Sequence, residues 1–148
     1  MLADVFKSSN VKNPMEYRGD IIHYNEAIFD PKELAAAKKK GIAERVEFNA
    51  WFEAVAKALD SGDKTLSQTQ EYLTSAIPGL KELWVNLEKI TIWSDGLQFW
   101  FADGNKYGIR DVCVRPSGTD AKTKIYFDGT DKQAMKDVFE GHLRNFRP

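Results

Sequence analysis

The spacing of apolar positions changes once along this chain. Up to about residue 82 they recur at helical intervals, and from Leu83 onward they alternate with polar ones. Residues 1–20 are mixed, with Lys12-Asn13-Pro14 and Arg18-Gly19-Asp20 as turn signals. Ile21-Ile22-His23-Tyr24 reads as a short strand. Asp30-Pro31-Lys32-Glu33 reads as a helix start: Asp30 caps, Pro31 suits the first turn, and Glu33 has capping-box spacing. This helix is expected to pass through Leu34 and three alanines and to stop near Gly41. Lys38-Lys39-Lys40 then reads as its solvated end rather than as a nucleic-acid patch.

A second helix is expected over 43–59, because Phe48, Trp51, Phe52, Val55 and Leu59 fall on one face. A third starts at Thr65 or Ser67, carries Leu66, Thr69, Leu73 and Ile77 on one side, and closes at Pro78-Gly79. Alternation then begins with Leu83, Val85 and Leu87. Turns at Ser94-Asp95-Gly96 and Asp103-Gly104-Asn105-Lys106 separate strands at 97–101 and 112–115, and a further strand follows at 122–127. On that last strand Lys122, Lys124 and Tyr126 face one way, and Thr123, Ile125 and Phe127 the other. Thr130-Asp131-Lys132-Gln133 starts a final helix, with Met135, Val138, Phe139, His142 and Phe146 on its inner face. The fold class is therefore α+β, about four antiparallel strands with helices on one face, preceded by a helical N-terminal extension.

Composition narrows the function classes. The 148 residues are 43% hydrophobic and 12% aromatic, enough for a real core. A net charge of −1 gives no electrostatic case for nucleic acid or an anionic membrane as partner. A single cysteine, Cys113, excludes an intramolecular disulfide and fits a reducing, cytoplasmic setting. Among apolar neighbours Cys113 reads as core filling. His23 and His142 have no ligand-spaced partner, so no metal site is expected in this chain. Asp60/Asp63 and Asp128/Asp131 read as loop and capping residues rather than acid–base pairs. Walker, dinucleotide and nucleophile-elbow motifs are missing, so no catalytic residue is assigned.

The stretch that carries chemistry is Arg115-Pro116-Ser117-Gly118-Thr119, between two expected strands. Arg115 offers a planar fork suited to two oxygens of a phosphate. Ser117 and Thr119 add hydroxyls. Gly118 permits an unusual φ and close approach of an anion to its N–H. Pro116 biases Arg115 toward an extended conformation. The same five residues also suit an ordinary polar turn with one surface arginine.

The longer segment RPSGTDAKTKIYFDG resembles the C-terminal signature of the α-D-phosphohexomutases, the phosphoglucomutase and phosphomannomutase family. Asp95-Gly96 and Asp103-Gly104 resemble that family's paired DG turns. The likeness covers about residues 83–148, with a fainter echo over 17–41. Asp120-Ala121 stands where the family has Glu-Pro, and Lys124 where it has a basic residue that is usually Arg. The resemblance implies a TBP-like fourth domain that grips the phosphate of a hexose phosphate through Arg115, Ser117, Gly118 and Thr119. Lys122 and Lys124 would be supporting charges. It also implies a division into a preceding domain's tail (1–41), a helical linker (42–82) and the phosphate-binding domain (83–148).

The family's serine loop, Mg²⁺-holding aspartate loop and sugar-reading loop are not found in this sequence. The expectation is thus a fragment that binds phosphate without catalysing transfer. Mg²⁺ would be held in another domain of the parent enzyme, and those other domains would be its partners. The alternative is a stand-alone α+β module that binds a protein through Trp84, Trp93 and Trp100.

Overall fold

The computed structural model describes residues 14–148. Five antiparallel strands form one open sheet: β1 (Met15–Ile22), β2 (Leu87–Trp93), β3 (Gly96–Phe101), β4 (Ile109–Pro116) and β5 (Lys122–Gly129). Their spatial order is β1-β5-β4-β3-β2. Strands β2 to β5 follow one another as a meander, and β1 adds to the far edge of β5 from Met15↔Gly129 to Ile22↔Lys122. Four helices complete the fold: α1 (Pro31–Asp60), α2 (Leu66–Ala76), the single turn α3 (Lys81–Trp84) and α4 (Lys132–Val138), which runs into a π turn at Phe139–Leu143. None of these helices is long and apolar enough to cross a membrane.

The helices cover one sheet face. Ile21, Ile125, Phe127, Val112, Val114, Leu97, Phe99 and Phe101 point into a single core with Phe48, Phe52 and Val55 of α1. Phe99 sits at the centre, edge-on to Phe52 at 6.0 Å and tilted against Trp84 at 6.5 Å. At the other end Phe139 packs on Tyr17 and Phe127. Caps fall where the sequence places them. Asp30 accepts from the Glu33 N–H, Thr65 and Gln68 form a reciprocal box, and Asp131 accepts from the Ala134 N–H.

Several elements depart from expectation, each for a local reason. The sheet has five strands rather than about four, because residues 15–22 form an edge strand where only a short strand at 21–24, after a mixed stretch, was expected. The helix expected to stop near Gly41 runs on to Asp60, which puts Lys38, Lys39 and Lys40 on an exposed mid-helix surface. Gly41 serves close approach instead of termination: a Cβ there would stand 2.5 Å from the His23 carbonyl oxygen and 2.9 Å from the Ala121 Cβ. Residues 81–84 are helical, and β2 begins only at Leu87. Leu80, Leu83 and Trp84 are all buried, and their i, i+3, i+4 spacing satisfies a helix as well as a short alternating run. Trp84 is core, anchored by Nε1–H to the Ile77 carbonyl, so it offers no surface to a partner. In the π turn one extra residue per turn shifts the phase. Leu143 points inward and His142 is exposed, its ring over Gly79.

Candidate functional site

The Arg115–Thr119 stretch lies at the connection between β4 and β5, two interior strands of the sheet. Ser117 N–H donates to the Lys122 carbonyl at 3.0 Å, closing the hairpin, and Asp120 N–H donates to Ser117 Oγ at 3.1 Å. The Ser117 hydroxyl hydrogen therefore stays available to donate. No hydrogen bond among the described residues uses the N–H of Gly118 or Thr119. Gly118 does not use the left-handed φ open to a glycine. A Cβ built there meets nothing within 4 Å, so its contribution is open space beside the backbone.

This turn closes one end of a cleft of about 620 Å³. One wall is a polar row on α1 at successive four-residue steps, Arg45, Asn49, Glu53 and Lys57. The other wall comes from the β2–β3 turn, Trp93 to Leu97, and from the end of β4. Arg115 and Asp95 stand on the rim, where a smaller recess of about 200 Å³ walled by Trp93, Cys113 and Tyr126 begins. Arg115 Nη2 lies 3.3 Å from Asp95 Oδ2, with both side chains nearly half exposed.

Not every residue expected at the site reaches it. Arg115, Ser117 and Gly118 line the cleft, whereas Thr119 is exposed outside it. Lys122 and Lys124 are absent from its walls. Lys122 instead lies 3.8 Å from Asp20 and 3.7 Å from Asp120. The cations the cleft does gain are Arg45 and Lys57. Their sequence signal was the run of polar residues at i+4 steps beside the Phe48/Phe52/Val55 stripe, which reads as one helix face bordering a core.

Neither family models, curated proteins nor solved structures give a match to this chain. Its chemistry has to be read from its own side chains.

Two buried polar clusters flank the site. Behind the turn, Thr123 Oγ1 accepts from Asn49 Nδ2 at 2.8 Å and shares a 2.9 Å hydrogen bond with His23 Nε2. Burial lowers the His23 pKa to about 4, helped by the Arg147 charge, so the ring is neutral near pH 7. On the second sheet face Asp111 and Asp128 are cross-strand partners, both fully buried. A register shift at Arg110 turns Asp111 toward Asp128, and Gln98 Nε2–H donates to Asp111 Oδ1 at 3.1 Å. Burial and the neighbouring Asp111 charge raise the Asp128 carboxyl to about 8, and burial raises Asp111 as well. The pair thus holds a shared proton at neutral pH.

Asp128, read from sequence as a capping residue, is a strand residue of this pair, while Asp131 is the cap. No group of three or more metal-ligating side chains forms among the described residues. Cys113 is buried beside Asp111, and burial pushes its thiol well above the usual range, which leaves it protonated and inert.

Proposed function

We propose that this chain is the phosphate-binding C-terminal domain of a phosphoglucomutase- or phosphomannomutase-type enzyme, with a TBP-like arrangement of strands and helices. The observation that carries the reading is the β4–β5 turn. Its Gly118 N–H and its Ser117 hydroxyl have no acceptor among the described residues, and they lie beside Arg115 in the wall of a cleft of about 620 Å³, with the equally unused Thr119 N–H just outside it. In this reading Arg115 grips two oxygens of the non-transferring phosphate, and the turn donors take the third. The sugar extends into the cleft between α1 and the β2–β3 turn. β1 and α1 dock onto the turn-bearing part, residues 83–148.

Binding and orientation are all that these residues supply. The phosphoryl-bearing serine, the Mg²⁺ that offsets developing charge and the sugar-reading loop belong to other domains of a cytoplasmic parent enzyme. The chain alone interconverts no hexose phosphates.

The test is an amide NMR titration with inorganic phosphate and with glucose 1-phosphate at constant ionic strength. Saturation near millimolar concentration, with the largest shifts within 115–120 and loss of binding in Arg115→Ala, supports the reading. Largest shifts elsewhere, or an unchanged titration in Arg115→Ala, overturns it. That second outcome favours a protein-binding module, for which Trp93, 40% exposed, is one aromatic anchor.

A further inference from the structure

Arg45 precedes Ser117 by seventy-two residues, yet it makes two close contacts with the turn. Its Nη1 donates to the Ser117 carbonyl at 2.6 Å and to the Asp120 carbonyl at 2.7 Å. Both distances are in the range of charge-assisted hydrogen bonds. The two acceptors bracket the Gly118-Thr119 segment, so a single guanidinium holds both of its ends.

The consequence follows from peptide geometry. In a trans peptide the C=O and the next N–H lie in one plane and point in opposite directions. Fixing the Ser117 carbonyl on Arg45 therefore fixes the Gly118 N–H on the side away from α1. Without Arg45 that plane is free to turn over, and the carbonyl oxygen would then meet an incoming anion and repel it. The guanidinium also offsets the partial negative charge of two carbonyls that no other described hydrogen bond uses. Asn49, one turn on, ties the same helix to β5: its Nδ2 donates to the Arg45 carbonyl and to Thr123 Oγ1. Helix and turn are thus pinned at two adjacent points.

We infer that Arg45 is the positioning residue of the anion-binding turn. It acts through the backbone carbonyls of Ser117 and Asp120, setting the turn's N–H groups for a phosphoryl oxygen without contacting the ligand itself. The inference rests on the phosphate reading of the turn and adds to it a part on a different element.

The experiment compares the full chain with Arg45→Gln and Arg45→Lys, by amide hydrogen exchange without ligand and by NMR titration with inorganic phosphate at constant ionic strength. Asp120 N–H reports turn order before any ligand is present. Arg45→Gln is expected to speed its exchange and to weaken phosphate binding about tenfold, as loss of two charge-assisted bonds implies. Arg45→Lys, with one point charge for two acceptors, should recover part of both effects. The 115–120 shift pattern at saturation should match wild type, because the bound turn is the same.

If wild type binds phosphate and Arg45→Gln binds equally well, the positioning role is wrong and the phosphate reading stands. If Arg45→Gln weakens binding while Asp120 exchange is unchanged, Arg45 contacts the ligand directly and the positioning role is again wrong. Failure of wild type to bind phosphate removes both readings together.

Discussion

The guanidinium of Arg115 and the carboxylate of Asp95 lie 3.3 Å apart, joining the end of β4 to the β2–β3 turn. Both groups are nearly half exposed, so the pair adds little to stability. In the proposed phosphate reading its effect falls on the ligand, because Asp95 engages one arm of the fork that a phosphate would take. Asp95→Asn should tighten phosphate binding about two- to fivefold, since it removes a competing anion at contact distance. Equal or weaker affinity in the same titration would show that Asp95 orients Arg115 instead of blocking it.

Two glycines in contrasting positions give a second prediction. A methyl at Gly41 meets the His23 carbonyl at 2.5 Å, whereas one at Gly118 meets nothing within 4 Å. Gly41→Ala gains about 1 kcal/mol in helix propensity, but the clash involves backbone and should cost more. A net loss of about 1–2 kcal/mol is expected in urea unfolding. Gly118→Ala should leave the urea midpoint nearly unchanged while weakening phosphate binding, since the methyl fills space an anion would use.

The two buried titrating groups set opposing slopes of stability against pH. His23 is neutral in the fold down to about pH 4, so its contribution is present above its usual pKa of 6.5 and is lost on acidification through that window. Asp128 holds its proton up to about pH 8, so the folded state loses relative stability as pH rises from about 4 to 8. Below pH 6.5 the two slopes offset each other, and between 6.5 and 8 the slope of the Asp128–Asp111 pair is unopposed, about 1.4 kcal/mol per pH unit for one proton held. Glu16 adds to the upward shift of Asp128 and Arg110 opposes it. Urea midpoints from pH 5 to 9 should therefore be flat and then fall. Asp128→Asn should flatten the alkaline limb, and His23→Gln should extend the fall down to pH 5. A wild-type midpoint that rises between pH 7 and 8 would contradict the shared proton.

How much of this was legible in the sequence depended on the range of the contacts. The stripe Phe48, Phe52, Val55, the caps at Asp30, Thr65 and Asp131, and the alternation on β5 are local, and each stands where the pattern put it. Gly41 was misread because a helix-ending glycine and a close-approach glycine look alike until the approaching backbone is known. Trp84 and His142 were misplaced by one helical turn and one extra π-turn residue. The turn residues Arg115, Ser117 and Gly118, which line the cleft, could be singled out because they are nearly contiguous. Arg45 and the Asp111–Asp128 pair were not, since only docking of α1 and the pairing of β4 with β5 create them.

Strand β1 supplies a further prediction. The resemblance implies that residues 1–41 are the tail of a preceding domain, yet within them β1 pairs with β5 along its whole length. Gly19 abuts the Phe139 ring, and Ile21 is 1% exposed. Hydrogen exchange of the β1 amides directed at β5 should approach that of β5 itself. Exchange orders of magnitude faster would mean that the edge opens separately from the core.

The separation of Arg45 from the turn also bears on when the site can exist. The β2–β5 meander is built from neighbouring hairpins, which close early at low entropic cost. Docking α1 on β5 spans more than seventy residues and β1 must cross about a hundred, so these contacts belong to the late part of folding. A chain that has made its hairpins already carries the turn, but with its carbonyls still unheld. In the proposed reading, phosphate would then stabilise the finished protein by slowing its unfolding and leave the rate of folding almost untouched.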